Sequence, residues 1–366
     1  MKINGKHYHT IWETDDIPTS ISIIDQRSLP HKFEIVELRT LNDFIFAINE
    51  MLVRGAPLIG VTALYGLFFS VKDCTEENFE FIFNNSVNQI LSTRPTAVNL
   101  KNALEVSINE ISKTTSLKEK LYSLLQSARS LKEKEIFISK KIGEYGVQLI
   151  EEVYQKKKRV VNILTHCNAG WLATIDYGTA LAPIYFANER GIPLHVWVDE
   201  TRPRLQGAKL TAFELLHEGI PHTIVTDNSG GLLMQKGLVD IVIVGTDRTT
   251  RKGDVANKIG TYLKALAAYD NGIPFYVALP STSIDWGIEN ALEEIPIEIR
   301  DEKEVKYVSG KFGDNVVDIL ICPENSQALN HAFDITPSRL VTGFITERGL
   351  CSATEEGLLS LFPEMK

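Results

Sequence analysis

Cysteine is scarce in this chain: four thiols in 366 residues, at Cys74, Cys167, Cys322 and Cys351, with no CxxC pair among them. That scatter argues against a disulfide framework or a clustered zinc site and sets the expectation of reduced thiols in the cytoplasm. Long apolar runs are missing too. No stretch approaches the ~20 residues needed to cross a bilayer, and the opening MKINGKHYHT is polar, without an apolar segment of signal-peptide length. Basic charge is in deficit, with 38 Lys and Arg against 47 Asp and Glu and a formal net charge of -9. Nucleic-acid binding needs a basic footprint, so it is not expected. The one dense basic run, Lys156 to Arg159, has the character of a solvated helix end. The first strand is not followed by a glycine fingerprint of dinucleotide enzymes, and Gly230-Gly231 has the look of a short turn. No nicotinamide, other cofactor or metal is expected.

What is present is enough chain for two domains, with 44% hydrophobic and 23% charged residues, an ordinary globular balance. The first part does not alternate strand and helix. ISIIDQ (21–26) and KFEIVELR (32–39) predict two short strands joined by a turn at Leu29-Pro30. Helical patterning follows from Leu41 to Met51, and a second helix, apolar nearly all round and so buried, opens at Pro57. The charged helical pattern from Ser116 to Gln155 predicts one or two long helices. From Val160 the grammar changes to short runs rich in Val and Ile: VVNILTH, IPLHVWVDE, HTIVTD, DIVIVGTD, PFYVALP and VDILICP. Helical segments at 179–190, 207–218 and 255–269 separate most of them. This alternation predicts an α/β fold, a mostly parallel sheet with helices on both faces, preceded by a smaller mainly helical domain with a short β-sheet. The division is placed at residues 1–135 and 136–366.

Ligands of such sheets bind beyond the carboxyl ends of the strands. Two strands end in reactive side chains, Cys167 in THCNAG and Asp247 in GTDR. A buried cysteine is more often a small hydrophobe, and a strand-end aspartate more often a turn cap. The position of both at strand ends of one sheet favours a shared crevice. After Asp247 a helix is expected from about Val255, with Asn257 and Lys258 in its first turn, where free N–H groups favour an anion. Gln206 and Gly207 open another helix after a strand. The corner Arg54-Gly55-Ala56, ahead of Pro57, offers a guanidinium, close backbone approach and a helix N-terminus, a pattern suited to phosphate. Arg94 supplies a second guanidinium. Arg202 and Arg204, beside Asp199 and Glu200, suit structural ion pairs at least as well. His166 adjoins Cys167, but strand neighbours point to opposite faces, which disfavours a Cys–His nucleophilic pair.

Together RGAPLIG, STRPTAVNL, THCNAG, YGTAL, DETRPRLQGAKLTAFEL, TDNSGG, GTDR, GDVANKIGTY and FDITPSRLVTGFITERG resemble the methylthioribose-1-phosphate isomerase family, from about Ser20 to Gly349. Its superfamily also holds regulatory subunits of the guanine-nucleotide-exchange initiation factor. The resemblance implies a helical N-terminal domain, a Rossmann-like C-terminal domain, a homodimer and a role in methionine salvage. It assigns catalysis to Cys167 and Asp247 and substrate contacts to Arg54, Gly55, Ala56, Arg94, Gln206, Asn257 and Lys258. It also implies a protonated Asp247, kept so by a desolvated site. The chain departs from the family pattern at Trp171 and Asp176, which replace smaller residues, at Thr246, where alanine is common, and over Thr249 to Lys252. Isomerases of 5-deoxyribose 1-phosphate or ribose 1,5-bisphosphate, and a non-catalytic regulatory subunit, are the alternatives.

Overall fold

The structure is a computed structural model that describes residues 1–94 and 98–366. Its chain divides into a helical unit, Tyr8–Phe137 with Trp171–Asp176, and a sheet unit, Met1–His7, Ile138–Gly170 and Tyr177–Lys366. The chain opens in the sheet unit with a short antiparallel pair, β1 (Lys2–Ile3) and β2 (Lys6–His7).

The helical unit begins with the antiparallel strands β3 (Ile11–Glu13), β4 (Ile21–Ile24) and β5 (Ile35–Leu38). Helices α1 (Leu41–Asn49), α2 (Ala56–Val71), α3 (Phe79–Thr93) and α4 (Val98–Ile111) follow, then α5 (Leu117–Lys157), within which the two units divide. Thr40 starts α1 with a reciprocal cap: its hydroxyl accepts the Asp43 N–H, and the Asp43 carboxylate accepts the Thr40 N–H. Fourteen of the sixteen residues of α2 are buried. Its all-round apolar surface therefore meets protein on every side, chiefly α1, α3 and α4. Gly66 lets α1 come close, since a Cβ there would lie 2.9 Å from Phe44 Cβ. The buried Tyr65 hydroxyl donates to Glu13 Oε1 at 2.5 Å, and Arg129 holds the same carboxylate through two nitrogens.

The sheet unit continues with β6 (Val161–Thr165), α6 (Ala182–Glu189), β7 (Leu194–Asp199), α7 (Ala212–His217), β8 (His222–Val225), α8 (Ser229–Gln235) and β9 (Ile241–Val244). Then come β10 (Arg248–Thr250), β11 (Val255–Lys258), α9 (Thr261–Asp270), β12 (Phe275–Ala278) and β13 (Ile284–Asp285). The chain closes with β14 (Tyr307–Phe312), β15 (Asn315–Leu320), β16 (Phe333–Thr336), β17 (Gly343–Thr346) and β18 (Gly349–Cys351), before a last short helix. Seven strands form one sheet in the order β18-β17-β12-β9-β6-β7-β8, parallel except for β18. The first strand, β6, thus has β7 and β8 on one side and β9 and β12 on the other. Successive connections leave β6 in opposite directions, which makes a topological switch point between β6 and β9.

Several expectations change. VDILICP does not join the main sheet: β15 pairs only with β14 in a two-stranded antiparallel hairpin, with Ile319 and Ile321 exposed. The late GFIT and GLC runs fill the edge of the sheet instead, as β17 and β18. Gly230-Gly231 lies inside α8 rather than in a turn. The basic run at the end of α5 is not simply solvated, because Lys157 and Arg159 both bind the buried Asp240 carboxylate. Burial opposes the charge on Asp240, but the Asn162 N–H and these two cations hold its carboxyl below the usual range. Among the described residues, no helix is long and apolar enough to cross a membrane.

Candidate active site

Strand β6 ends at Thr165 and β9 at Val244, so Cys167 and Asp247 emerge just beyond the carboxyl ends of adjacent parallel strands. Neighbouring strands are about 4.8 Å apart, and the two residues flank the switch point. Cys167 is a non-glycine residue with φ of 67°, in the left-handed region. Such a conformation is held only where surroundings over-determine it, and it recurs at functional sites. Here two threonines hold it. The Cys167 N–H donates to Thr201 Oγ1 at 2.8 Å, and the Thr211 hydroxyl donates to the Cys167 carbonyl at 2.8 Å. Thr201 is itself left-handed, with φ of 64°, and its hydroxyl also donates to the Asp199 carbonyl. The loop after β7 therefore sets the backbone of the thiol. Neither threonine stood out in the sequence, because a backbone-binding hydroxyl has no local signature.

Asp247 sits at the root of a side hairpin. Its N–H donates to the Ala256 carbonyl at 3.0 Å, and continuing the β10–β11 register by one step puts Asn257 opposite it. The expected helix at Val255 is instead strand β11, paired with both β10 and β16. Pairing on both edges overrides the helical reading of VANK, and the helix starts three residues after Lys258. Asn257 and Lys258 thus project from a strand end, not from a helix N-terminus. Asn257 Nδ2 donates to Thr261 Oγ1 at 3.0 Å, and the Lys258 ammonium lies 4.6 Å from the Phe333 ring centre. The start of α9 is taken by protein: Asp334 accepts the N–H groups of Gly260 and Tyr262. Burial pushes the Asp334 carboxyl up despite those two donors.

Gln206 lies beyond the end of β7, on the other side of β6. The helix it precedes begins as a π-helical turn, Gly207–Thr211, before α7, a distortion that is rare and frequent at functional sites. Gly207 is required there, since a Cβ would stand 1.7 Å from the Asp199 carbonyl oxygen. Gln206 is 4% exposed, and its Oε1 has no hydrogen-bond partner among the described residues. A buried acceptor left bare calls for a donor from outside, such as a hydroxyl. Arg202 and Arg204 play structural parts. Arg202 donates to the carbonyls of Pro203 and Val305, and Arg204 pairs with Glu304 at 2.8 Å. Burial works against the charge on Glu304, yet Arg300 and Arg204 bring its carboxyl down to about 2.

Five of the expected residues, Cys167, Gln206, Asp247, Asn257 and Lys258, therefore belong to one end of the sheet unit. Asp247 is exposed in this structure, so the protein around it does not supply the desolvation expected to keep it protonated. Arg54, Gly55, Ala56 and Arg94 belong to the helical unit. There Gly55, with φ of 84°, caps α2, and a Cβ would fall 1.9 Å from the Ala173 carbonyl oxygen. The close approach that this glycine permits is to the protein's own backbone. Arg94 caps the end of α3, and residues 95–97 of the STRPTAVNL motif lie outside the described residues. Trp171 and Asp176, two of the departures noted above, are buried in the helical unit, where His9 Nε2 approaches Asp176 at 3.3 Å.

Beneath Cys167 lies a network that sequence reading missed. His166 Nδ1 is 2.9 Å from Asp199 Oδ2, and Nε2 is 2.9 Å from the Ile259 carbonyl oxygen. Lys264 Nζ is 3.2 Å from the same Asp199 oxygen and donates to the Asp227 carbonyl. Asp227 in turn accepts the N–H groups of Thr201 and Arg202 at 2.7 Å. His166, Asp199 and Asp227 could together ligate a cation, but the Lys264 ammonium already stands on Asp199 Oδ2.

The chain as a whole is similar to known proteins. The model of the Initiation factor 2 subunit family matches residues 52–353. A methylthioribose-1-phosphate isomerase of Desulfatibacillum aliphaticivorans is 54% identical over all of this chain and 99% of its own. The chain belongs to this isomerase family. Its member from Sinorhizobium medicae is 53% identical over 100% of both chains. Among solved structures, the family's 5-methylthioribose 1-phosphate isomerase from Pyrococcus horikoshii OT3 superposes with a TM-score of 0.85 at 35% identity, covering 98% of this chain and 97% of that one. The translation initiation factor eIF-2B, subunit delta, from A. fulgidus gives 0.81 at 36% identity, covering 98% and 100%.

Proposed function

We propose that this chain isomerises 5-methylthioribose 1-phosphate to 5-methylthioribulose 1-phosphate, with Asp247 as acid–base and Cys167 at the migrating hydrogen. The observation that carries the assignment of roles is the pair itself: a conformationally constrained thiol and a carboxyl beyond adjacent strand ends at the switch point. An aldose 1-phosphate has its anomeric oxygen esterified, so it has no free aldehyde form. Asp247 gives a proton to the ring oxygen as the bond from that oxygen to C1 breaks, leaving positive charge at C1. Two routes then complete the change. A hydride passes from C2 to C1 while the C2 hydroxyl returns its proton to Asp247. Alternatively Cys167, as the thiolate, removes the C2 proton to give an enol phosphate; the thiol proton, exchangeable with water, is then delivered to C1 while the C2 hydroxyl returns its proton to Asp247. Either balances, ending with a C2 carbonyl and a CH2 group bearing the phosphate.

An acid of this kind works best when its pKa lies near the operating pH. Since Asp247 is exposed here, its desolvation is assigned to the bound sugar. Gln206 Oε1 accepts a sugar hydroxyl in this reading, and Asn257 donates to another. Lys258, Arg54 and Arg94 are assigned to the phosphate, whose dianion guanidinium groups suit geometrically. With this reading go a homodimer, a cytoplasmic location and no nucleic-acid partner, the last supported by the acidic balance.

Turnover is measured side by side on 5-methylthioribose 1-phosphate, 5-deoxyribose 1-phosphate and ribose 1,5-bisphosphate. The first is expected to have the highest kcat/KM; inactivity on all three would leave the regulatory-subunit reading in its place. Cys167→Ala and Asp247→Asn are each expected to lower kcat by about 10³-fold or more with folding intact. Substrate deuterated at C2 separates the routes: label retained in the product in ordinary water marks hydride transfer, and washout marks proton exchange.

A further inference from the structure

We infer that His166 carries both ring protons and serves as a positioning residue that locks the Cys167 loop to the Lys258–Gly260 turn. The inference rests on the proposed role of Cys167, although the protonation state stands on geometry alone. His166 is 1% exposed, and its two ring nitrogens face Asp199 Oδ2 and the Ile259 carbonyl oxygen, each at 2.9 Å. A carbonyl oxygen only accepts, and so does an ionised carboxylate. A neutral imidazole has one N–H, so it would leave one of these short contacts between two lone pairs. The imidazolium satisfies both.

The surrounding charges agree. From the end of β7 comes Asp199; from the loop before α8, Asp227, whose Oδ1 is 3.9 Å from His166 Nδ1; from β16, Asp334 at the start of α9. Against these three carboxylates stands the Lys264 ammonium from α9, on Asp199 Oδ2. A second cation in the cluster brings the balance to three against two, where a neutral ring leaves three against one. Buried charge is tolerated when paired and hydrogen-bonded, and both cations bear on the same Asp199 oxygen.

Three chain segments meet on this ring. His166 immediately precedes Cys167. Asp199 reaches the Cys167 N–H a second way, through its carbonyl and the Thr201 hydroxyl. Ile259 follows Lys258, and Gly260, with φ of 104°, gives the ring its space, since a Cβ there would sit 3.0 Å from His166 Cε1. The Nδ1 contact therefore bears on the thiol, and the Nε2 contact on the Asn257–Lys258 strand end.

The first test is nitrogen NMR of the full chain with 15N-labelled histidine at neutral pH, the His166→Asn spectrum identifying the signal among eight histidines. Two protonated nitrogens are expected; one unprotonated nitrogen overturns the inference while leaving Cys167 and Asp247 their roles. The second test splits the two contacts. His166→Asn places an amide where Nδ1 stands and loses Ile259, so KM is expected to rise about tenfold with kcat nearly kept. His166→Gln reaches Ile259 and loses Asp199, so kcat is expected to fall about tenfold with KM nearly kept. Parallel changes of kcat and KM in both variants, following a common loss of thermal stability, mark a merely structural ring and overturn the positioning role. A fully active Cys167→Ala removes the thiol's role instead, and the two ring protons remain measurable without it.

Discussion

Helix α2 of the helical unit and the polar network beneath the strand ends of the sheet unit are both buried, yet they handle polar groups under different rules. Around α2 the neighbours are apolar, and Tyr65 reaches a single half-buried carboxylate that Arg129 already neutralises. At the carboxyl ends of β6, β7 and β9 the buried groups are His166, Asp199, Lys264, Asn168, Glu214 and Gln206, most of them bonded to one another or to backbone. An apolar core depends on volume and tolerates loss of one hydrogen bond. A buried polar network depends on every partner, because each orphaned charge keeps its desolvation cost. The contrast separates a unit whose interior is set by volume from the one in which Cys167 and Asp247 stand at strand ends.

Removing a charge is the strongest way to break this contrast. Lys264→Met keeps the aliphatic stem but leaves Asp199 without its ammonium, and a loss of about 3–5 kcal/mol is expected in urea unfolding. A loss below about 1 kcal/mol would mean that the network is not held by charge balance. In the helical unit the sensitive point is backbone, not charge. Gly55→Ala combines a positive φ with a Cβ 1.9 Å from the Ala173 carbonyl oxygen, and a loss on the order of 3 kcal/mol is expected. Calorimetry checks it, and a melting temperature equal to that of the parent would refute the steric argument.

The acid response sharpens the comparison further. Glu304 has its carboxyl lowered from 4.5 to about 2 by Arg300 and Arg204 in spite of burial. A depressed folded pKa contributes stability that is present above the unfolded value and lost as pH falls through the folded one. That contribution, roughly 2–3 kcal/mol, is expected to disappear between pH 4.5 and 2. Unfolding measured across this window should slope more steeply for the parent than for Glu304→Gln; equal slopes would refute the assignment. The smallest effect is expected of Tyr65→Phe. It removes one bond to a carboxylate that keeps Arg129, so about 1 kcal/mol is the expected change, read from the denaturation midpoint.

Much of this architecture was legible locally. The change of grammar near Val160 marked the parallel sheet, and the apolar surface of α2 marked a helix buried on all sides. Cys167 and Asp247 were found because apolar runs stop just before them, and strand ends are where such sheets bind ligands. VANK and VDILICP were misjudged for different reasons. VANK pairs with Phe333–Thr336 from far along the chain, which no local pattern shows, whereas VDILICP pairs with its immediate neighbour Tyr307–Phe312 in a hairpin, and an apolar run does not say which sheet it will join.

The sequence alone therefore determined most of the buried segments, VDILICP excepted, and which reactive side chains stand at strand ends, since periodicity and chain breaks are written in consecutive residues. Only the tertiary structure decided that β6 and β9 are neighbours, that Thr201 and Thr211 hold Cys167, and that His166 faces two acceptors. Those relations join residues from 33 to 93 positions apart. Hydrogen bonds of that span depend on how strands are ordered in the sheet, which no local pattern encodes.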